Sequence, residues 1–194
     1  MALTGGLAAG KSTVAGYLRD AGFNVVDSDE LARLATAPGT ACLAEIARAF
    51  GASIIRPDGQ LKRAELARIV FRDPSLRRLL ESIIHPVVRQ ATQAALESAS
   101  LAGRSATIVD IPLLVETGRA GDYDLVVTVS APEEVRLGRA VARGYSLDQA
   151  RSRLAAQASD RRREAVADIV LDGSKDVSHL LDETRRRLIP RLAG

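Results

Sequence analysis

"GGLAAGKST", Gly5–Thr13, places three glycines, two alanines and one of the chain's three lysines within nine residues. The other lysines are Lys62 and Lys175, although Lys and Arg together number 27, so almost every other cation is arginine. Gly5 to Ser12 fits G-x-x-x-x-G-K-[ST], and the stretch lies between a short strand ending near Thr4 and a helix opening at Lys11. A loop wrapped around phosphate must aim successive backbone N–H groups inward, and small residues let the ligand approach. The dipole of the following helix favours an anion at its start. In this pattern Gly6, Ala8, Ala9, Gly10, Lys11, Ser12 and Thr13 are the candidate triphosphate contacts. Lys11 offers a mobile point charge in place of a planar guanidinium, and the Ser12 hydroxyl is a candidate Mg²⁺ ligand.

Composition bounds the remainder. With 194 residues, 46% of them hydrophobic and 26% charged, the chain has the make-up of a globular protein with one sizeable core. Aromatics are only 3% and tryptophan is absent, which disfavours base-stacking surfaces for single-stranded nucleic acid. A net charge of +3 suits an anionic ligand, but the arginines are spread along the chain and compel no particular partner. Cys42 is the sole cysteine, so no internal disulfide or cysteine metal cluster is possible; it reads as a helix core residue. No apolar run has membrane-spanning length and no leader pattern is seen, so the expected compartment is the cytoplasm.

Outward from the loop, Lys11–Ala21 reads as a helix stopped by Gly22, and "FNVV" (Phe23–Val26) as a strand running into "DSDE". From Leu31 to about Ser98 the pattern is helical throughout, with a Thr40 cap, an Asp58-Gly59 turn, and breaks at Pro74 and at His85-Pro86. "ATIVDI" (Ala106–Ile111) and "DLVVTVS" (Asp124–Ser130) are continuous apolar runs typical of strands covered on both faces. A helix follows Pro132, Ser146 and Gln149 form a capping box for the next, "DIVLD" is a last strand, and Val177–Ile189 a closing helix. Strands alternating with helices imply a parallel sheet. The helical middle reads as an insertion.

A phosphate loop alone does not separate switch, motor and kinase. Asn24 is the only asparagine and Val25 follows it, so the guanine-reading N-K-x-D motif cannot exist here. No glycine triplet of the shikimate-kinase kind occurs. A small-molecule kinase remains, and "VVDSDELAR" makes the reading specific. Together with "LTGG…GKST", "DGQLKRAELARIVF", "IIHP", "IPLLVE", "RLGRAVAR", "AAQ" and "ADIVLD", in that order along nearly the whole chain, the sequence resembles the dephospho-CoA kinases.

The resemblance implies an α/β P-loop fold with a five-stranded parallel sheet, an inserted helical substrate domain and a helical lid. The expected division is residues 1–32, 100–132 and 165–194 as nucleotide core, 33–99 as the CoA-side insertion, and 133–164 as lid. It implies ATP and Mg²⁺ as cofactors, dephospho-CoA as the small-molecule partner, and no nucleic-acid or membrane partner. Asp29 matches the acceptor's base; its competing reading is a helix N-cap. Arg139 and Arg143 match lid arginines, and Arg163 a basic position beside the nucleotide. Arg136, on the same helical stripe but outside the family match, reads as a solvated residue. Asp110 reads as a carboxylate holding a Mg²⁺ water, or as a strand-end turn residue. Arg33, Arg63, His85 and Leu113 match the substrate side, although His85 equally suits a structural role and the two arginines could pair with acids. Asp172 and Gly173 fall near the adenine site. Ala8 and Ala9 stand where the family commonly has glycine and serine, and Gly173 where it usually has asparagine. The rival readings are another P-loop kinase of small molecules or nucleotides, and a non-catalytic nucleotide-binding or RNA-associated module.

Overall fold

The computed structural model describes residues 1–192. Its contacts divide the chain into two compact units, residues 1–26 with 99–194 and residues 27–98. The first unit is built on a five-stranded sheet: β1 (Ala2–Gly5), β2 (Asn24–Asp27), β3 (Thr107–Asp110), β4 (Val126–Ser130) and β5 (Ile169–Asp172), in the order β2-β3-β1-β4-β5. The β1–β3, β1–β4 and β4–β5 pairs are parallel. Residues on one face (Leu3, Val127, Val129, Ile169 and Leu171) pack with Val14 and Leu18 of α1 (Lys11–Asp20) and with Leu180 of α9 (Val177–Arg187). In the chain, α6 (Glu133–Ala142), α7 (Leu147–Ala155) and α8 (Asp160–Glu164) lie between β4 and β5. The capping box is present, with Ser146 and Gln149 bonding each other's backbone N–H.

The order of strands decides where a ligand goes. From β1 the chain passes to β2 on one side; after β3 it crosses to β4 on the other. In open α/β sheets, ligands bind beyond the carboxyl ends of strands at such a reversal. Here that point is the end of β1, which runs into the Gly5–Thr13 stretch.

The second unit holds α2 (Ser28–Ala35), α3 (Ala41–Phe50), α4 (Arg63–Arg72) and most of α5 (Pro74–Leu101). Cys42, Leu43, Ile46, Ile54, Leu61, Leu66 and Ile83 form its core. Thr40 caps α3 by accepting from Leu43 N–H at 3.2 Å. The segment is not helical throughout: around the Asp58-Gly59 turn, Ile55 and Leu61 make an antiparallel bridge. The expected break at His85-Pro86 is also absent, because Pro86 lies inside α5. Proline there forfeits one backbone hydrogen bond, yet Ile83 is buried in the core with Leu80 and Ile84 packed beside it. Packing on the turn before Pro86 outweighs the local defect. Pro74 does act as expected, opening α5 at a position whose N–H needs no helical partner. The closing helix ends sooner than expected, at Arg187, with a separate α10 (Ile189–Leu192), since Pro190 cannot donate the next bond.

Burial, with a smaller contribution from Glu45, pushes the Cys42 thiol above its ordinary pKa. The sole thiol should therefore alkylate slowly in native protein at neutral pH and rapidly once the helical unit opens. Mass-monitored labelling across a denaturant series tests this; native labelling as fast as unfolded labelling would contradict the packing.

Candidate active site

The site grows from the backbone at the end of β1. Gly10 is the N-cap of α1 with φ of 113°, where any Cβ is strained and would also lie 2.9 Å from Leu180 Cδ2. No side chain caps α1. Leu7 N–H donates to Gln157 Oε1 at 2.8 Å and Ala9 N–H to the Gly6 carbonyl at 3.1 Å. Among the described residues, the amides of Ala8, Gly10, Lys11 and Ser12 have no acceptor within the chain. Four unclaimed donors at a helix start make an anion site. Ala8 holds φ of 58°, the left-handed region, and is the one non-glycine residue described there. Alanine thus takes a glycine-like conformation, at a cost of about 1 kcal/mol.

Lys11 and Asp110 meet because β3 lies beside β1, with Leu3 in register with Asp110. The Lys11 ammonium bonds Asp110 Oδ1 in a largely buried pair. Ser12 is exposed at the first turn of α1. Among the described residues no group of three or more His, Cys, Asp or Glu could cage a metal. Mg²⁺ commonly relies on one or two protein oxygens plus water and phosphate oxygens. The donor set of Ser12 and Asp110 fits that mode of binding.

The loop after β5 closes against the phosphate loop. Gly173 N–H donates to the Ser130 carbonyl at 2.7 Å. A Cβ on Gly173 would overlap the Ala9 carbonyl oxygen and lie 3.1 Å from that of Ser130. Glycine at 173 is therefore a packing requirement of this loop pair. The Asp172 carboxyl accepts from the Ser174 hydroxyl and N–H, which hold it below the usual carboxylate range. Arg139, from α6, donates to the carbonyls of Gly173 at 2.6 Å and Lys175 at 3.0 Å. Arg143 is exposed at the end of the same helix, and Leu113, beyond β3, is 48% exposed.

Arg136 overturns its reading as a solvated residue, being only 4% exposed. Its Nε donates to the Ala131 carbonyl at 2.9 Å and its Nη2 to Asp160 at 2.6 Å. Arg163 is 2% exposed and bonds the same carboxylate at 2.6 Å. Sequence reasoning also missed Gln157 as a partner of the loop, although "AAQ" marked the position. Spacing alone gave Asp160 no distinguishing signal.

In the helical unit, Asp27 caps α2: its Oδ1 accepts from Asp29 N–H at 2.9 Å and Glu30 N–H at 3.1 Å. The competing reading of Asp29 as the cap is thereby excluded. Asp29 is exposed in the first turn. Arg63 donates to the Arg33 carbonyl at 3.2 Å and to Thr36 Oγ1 at 2.7 Å, tying the start of α4 to the end of α2. Arg33 is exposed, and His85 sits half-buried in α5 beside Pro86.

A central strand ending in G-x-x-x-x-G-K-S, a helix start with unclaimed amides, and a neighbouring strand-end aspartate define a P-loop kinase site. Residues 1–179 match the dephospho-CoA kinase family. A dephospho-CoA kinase of Leifsonia xyli subsp. xyli is 44% identical over 194 residues, covering 99% of this chain and 96% of its own. One from Moorella thermoacetica is 48% identical over 163 residues, 83% of this chain and 77% of its own. The crystal structure of TT1252 from Thermus thermophilus superposes with a TM-score of 0.85 at 33% identity, covering 100% of this chain and 97% of that one. The chain belongs to the dephospho-CoA kinase family.

Two substitutions test the loop. Gly173→Ala should lower stability by about 1–3 kcal/mol and weaken Mg-ATP binding, since Ala9 must move to admit the methyl group. Ala8→Gly should raise stability by about 1 kcal/mol with binding retained, because it relieves the left-handed alanine. Denaturant unfolding and titration calorimetry read both. Stabilisation by Gly173→Ala would contradict the close loop packing.

Proposed function

We propose that this chain transfers the γ-phosphate of ATP to the 3′-hydroxyl of dephospho-CoA, giving CoA and ADP. The observation that carries the reading is the Gly5–Ser12 loop, with its unclaimed amides and Lys11 beside Asp110, in a chain of this family. Phosphoryl transfer passes through a loose transition state, so positioning and charge neutralisation supply most of the catalysis. The amides of Ala8, Gly10, Lys11 and Ser12 hold phosphate oxygens. Lys11 turns its ammonium from Asp110 towards the β- and γ-phosphates, a movement its flexible stem permits. Mg²⁺ held by Ser12, and by Asp110 through water, would neutralise phosphate charge. Arg139 and Arg143 meet the charge that develops during transfer. Asp172 and Gly173 border the adenine, where glycine offers only backbone contacts.

Asp29 orients the acceptor hydroxyl and takes its proton. With Asp27 serving as the cap of α2, the Asp29 carboxylate is not committed to holding the helix. Arg33, Arg63, His85 and Leu113 line the substrate side in this reading. The Arg63 nitrogen bonded to Thr36 leaves the rest of its guanidinium for an anionic group.

Purified protein given Mg-ATP and dephospho-CoA should add one phosphate to the acceptor, scored by mass. Nucleoside or nucleotide acceptors that react in its place would favour another P-loop kinase, and ATP binding without transfer a non-catalytic module. Lys11→Ala and Lys11→Arg should both abolish turnover while leaving the protein folded. Asp29→Asn should lower kcat by about 10²–10³, in the lower half of the range for general-base loss. Its ATP affinity and melting temperature should hardly change. Near-normal turnover in Asp29→Asn would remove the base assignment, and a collapse in stability would make the residue structural.

A further inference from the structure

Two guanidinium groups lie behind the first turn of the phosphate loop. A methyl group on Gly6 would sit 2.6 Å from Arg136 Nη1 and 2.9 Å from Arg163 Nη2. Both arginines are nearly sealed from solvent, at 4% and 2% exposure. Asp160 divides its carboxylate between them, Oδ2 to Arg136 and Oδ1 to Arg163, each at 2.6 Å. Arg136 Nε is fixed by the Ala131 carbonyl and Arg163 Nη1 by that of Ala158. The neighbouring Ala158 N–H is anchored on Glu116 at 2.7 Å. One residue before Ala158, Gln157 accepts from Leu7 N–H at 2.8 Å, so the 157–163 segment meets the loop at two successive residues, Gly6 through Arg163 and Leu7 through Gln157.

Two cations and one carboxylate in direct contact leave an excess positive charge under a loop built for an anion. Burying ions is costly, and even a paired buried set often stabilises a fold less than apolar residues of similar size. A surplus buried cation is costlier still unless a counter-charge completes it. The adjacent anion site supplies that counter-charge when phosphate is bound.

We propose that Arg136, held by Asp160, is a positioning residue for the phosphate loop. It fixes the path of the chain at Gly6 and biases the field there towards a bound triphosphate, acting through the loop without touching the acceptor. The inference rests on the kinase reading above. Asp160 sets the two guanidinium planes, Arg163 completes the support, and Gly6 has no side chain because both groups occupy that space. The device is distinct from Arg139, whose guanidinium faces the Gly173–Lys175 loop.

The test compares wild type with Arg136→Met, Arg136→Lys, Asp160→Asn and the double variant Arg136→Met/Asp160→Asn. Mg-ATP affinity is read by calorimetry, both KM values and kcat by steady-state kinetics, and Tm in the same preparations. Arg136→Met should weaken Mg-ATP binding by about tenfold and raise the KM for ATP in step, with the KM for dephospho-CoA unchanged. Arg136→Lys keeps the charge, and so remains a test where methionine prevents folding. It should bind Mg-ATP at an intermediate strength, because one ammonium cannot span Ala131, Asp160 and Gly6 together. Asp160→Asn should weaken Mg-ATP binding too, and the double variant should lose less than the sum of the two single losses, since Asp160 acts in part through Arg136. Folded Arg136 variants with wild-type Mg-ATP affinity, whatever their Tm, would overturn the inference. Equal rises in both KM values would overturn it as well, by showing a general structural effect. Wild-type protein that binds no Mg-ATP would instead overturn the kinase reading itself.

Discussion

A run of backbone N–H groups must be left unspent at the start of α1, and much of the first unit follows from that requirement. Most helices satisfy their first amides with a side-chain cap. Here Gly10 supplies none, and its left-handed φ turns the chain so that successive donors face one space. Such a loop has little cohesion of its own. It is held by Gln157 on the Leu7 N–H, by the two guanidinium groups behind Gly6, and by the close approach of Gly173 to Ala9. The supports come from α6, from the 157–163 segment and from the loop after β5, and each requires a small residue or a polar end group at one place.

Charge in this unit is organised around the same loop. Lys11 rests on Asp110, and the Arg136–Asp160–Arg163 set lies behind Gly6. Arg139 holds the carbonyls of the loop after β5. By contrast, exposed pairs such as Arg185–Asp182 and Arg186–Asp182 on α9 lie in solvent, where ion pairs contribute little. The costly, desolvated charges are those nearest the anion site. That distribution is what a phosphate-handling protein needs, because electrostatic interactions strengthen where water is excluded.

The helical unit obeys a different constraint. Its core of Cys42, Leu43, Ile46, Ile54, Leu61, Leu66 and Ile83 is aliphatic apart from one thiol, and it tolerates local irregularity. Pro86 inside α5 and the Ile55–Leu61 bridge both depart from simple helix rules. Both flank core residues, whose burial contributes more than one missing backbone hydrogen bond removes. Asp27 in the β2–α2 connection has a capping carboxylate, which leaves the carboxylate of neighbouring Asp29 outside the cap.

Much of this was legible in the residues themselves. The phosphate loop, the five strands, the Thr40 and Ser146 caps and the family were all read from local patterns, because each depends on spacing within a few residues. Pro86 misled for the same reason: the rule for proline is local, and the packing that overrides it is not. The Lys11–Asp110 pair needed the β1–β3 neighbourhood, which joins residues 99 positions apart. Arg136 was the clearest limit. Helical spacing placed it on a stripe with Arg139 and Arg143, but spacing says nothing of depth. Only the packing of α6 and α8 around the loop buried its guanidinium against Asp160 and Gly6, and so turned a surface-like arginine into part of the site. Sequence determined which local elements form and which chemistry they can carry; tertiary structure decided which charges lose their water, because desolvation depends on neighbours distant along the chain.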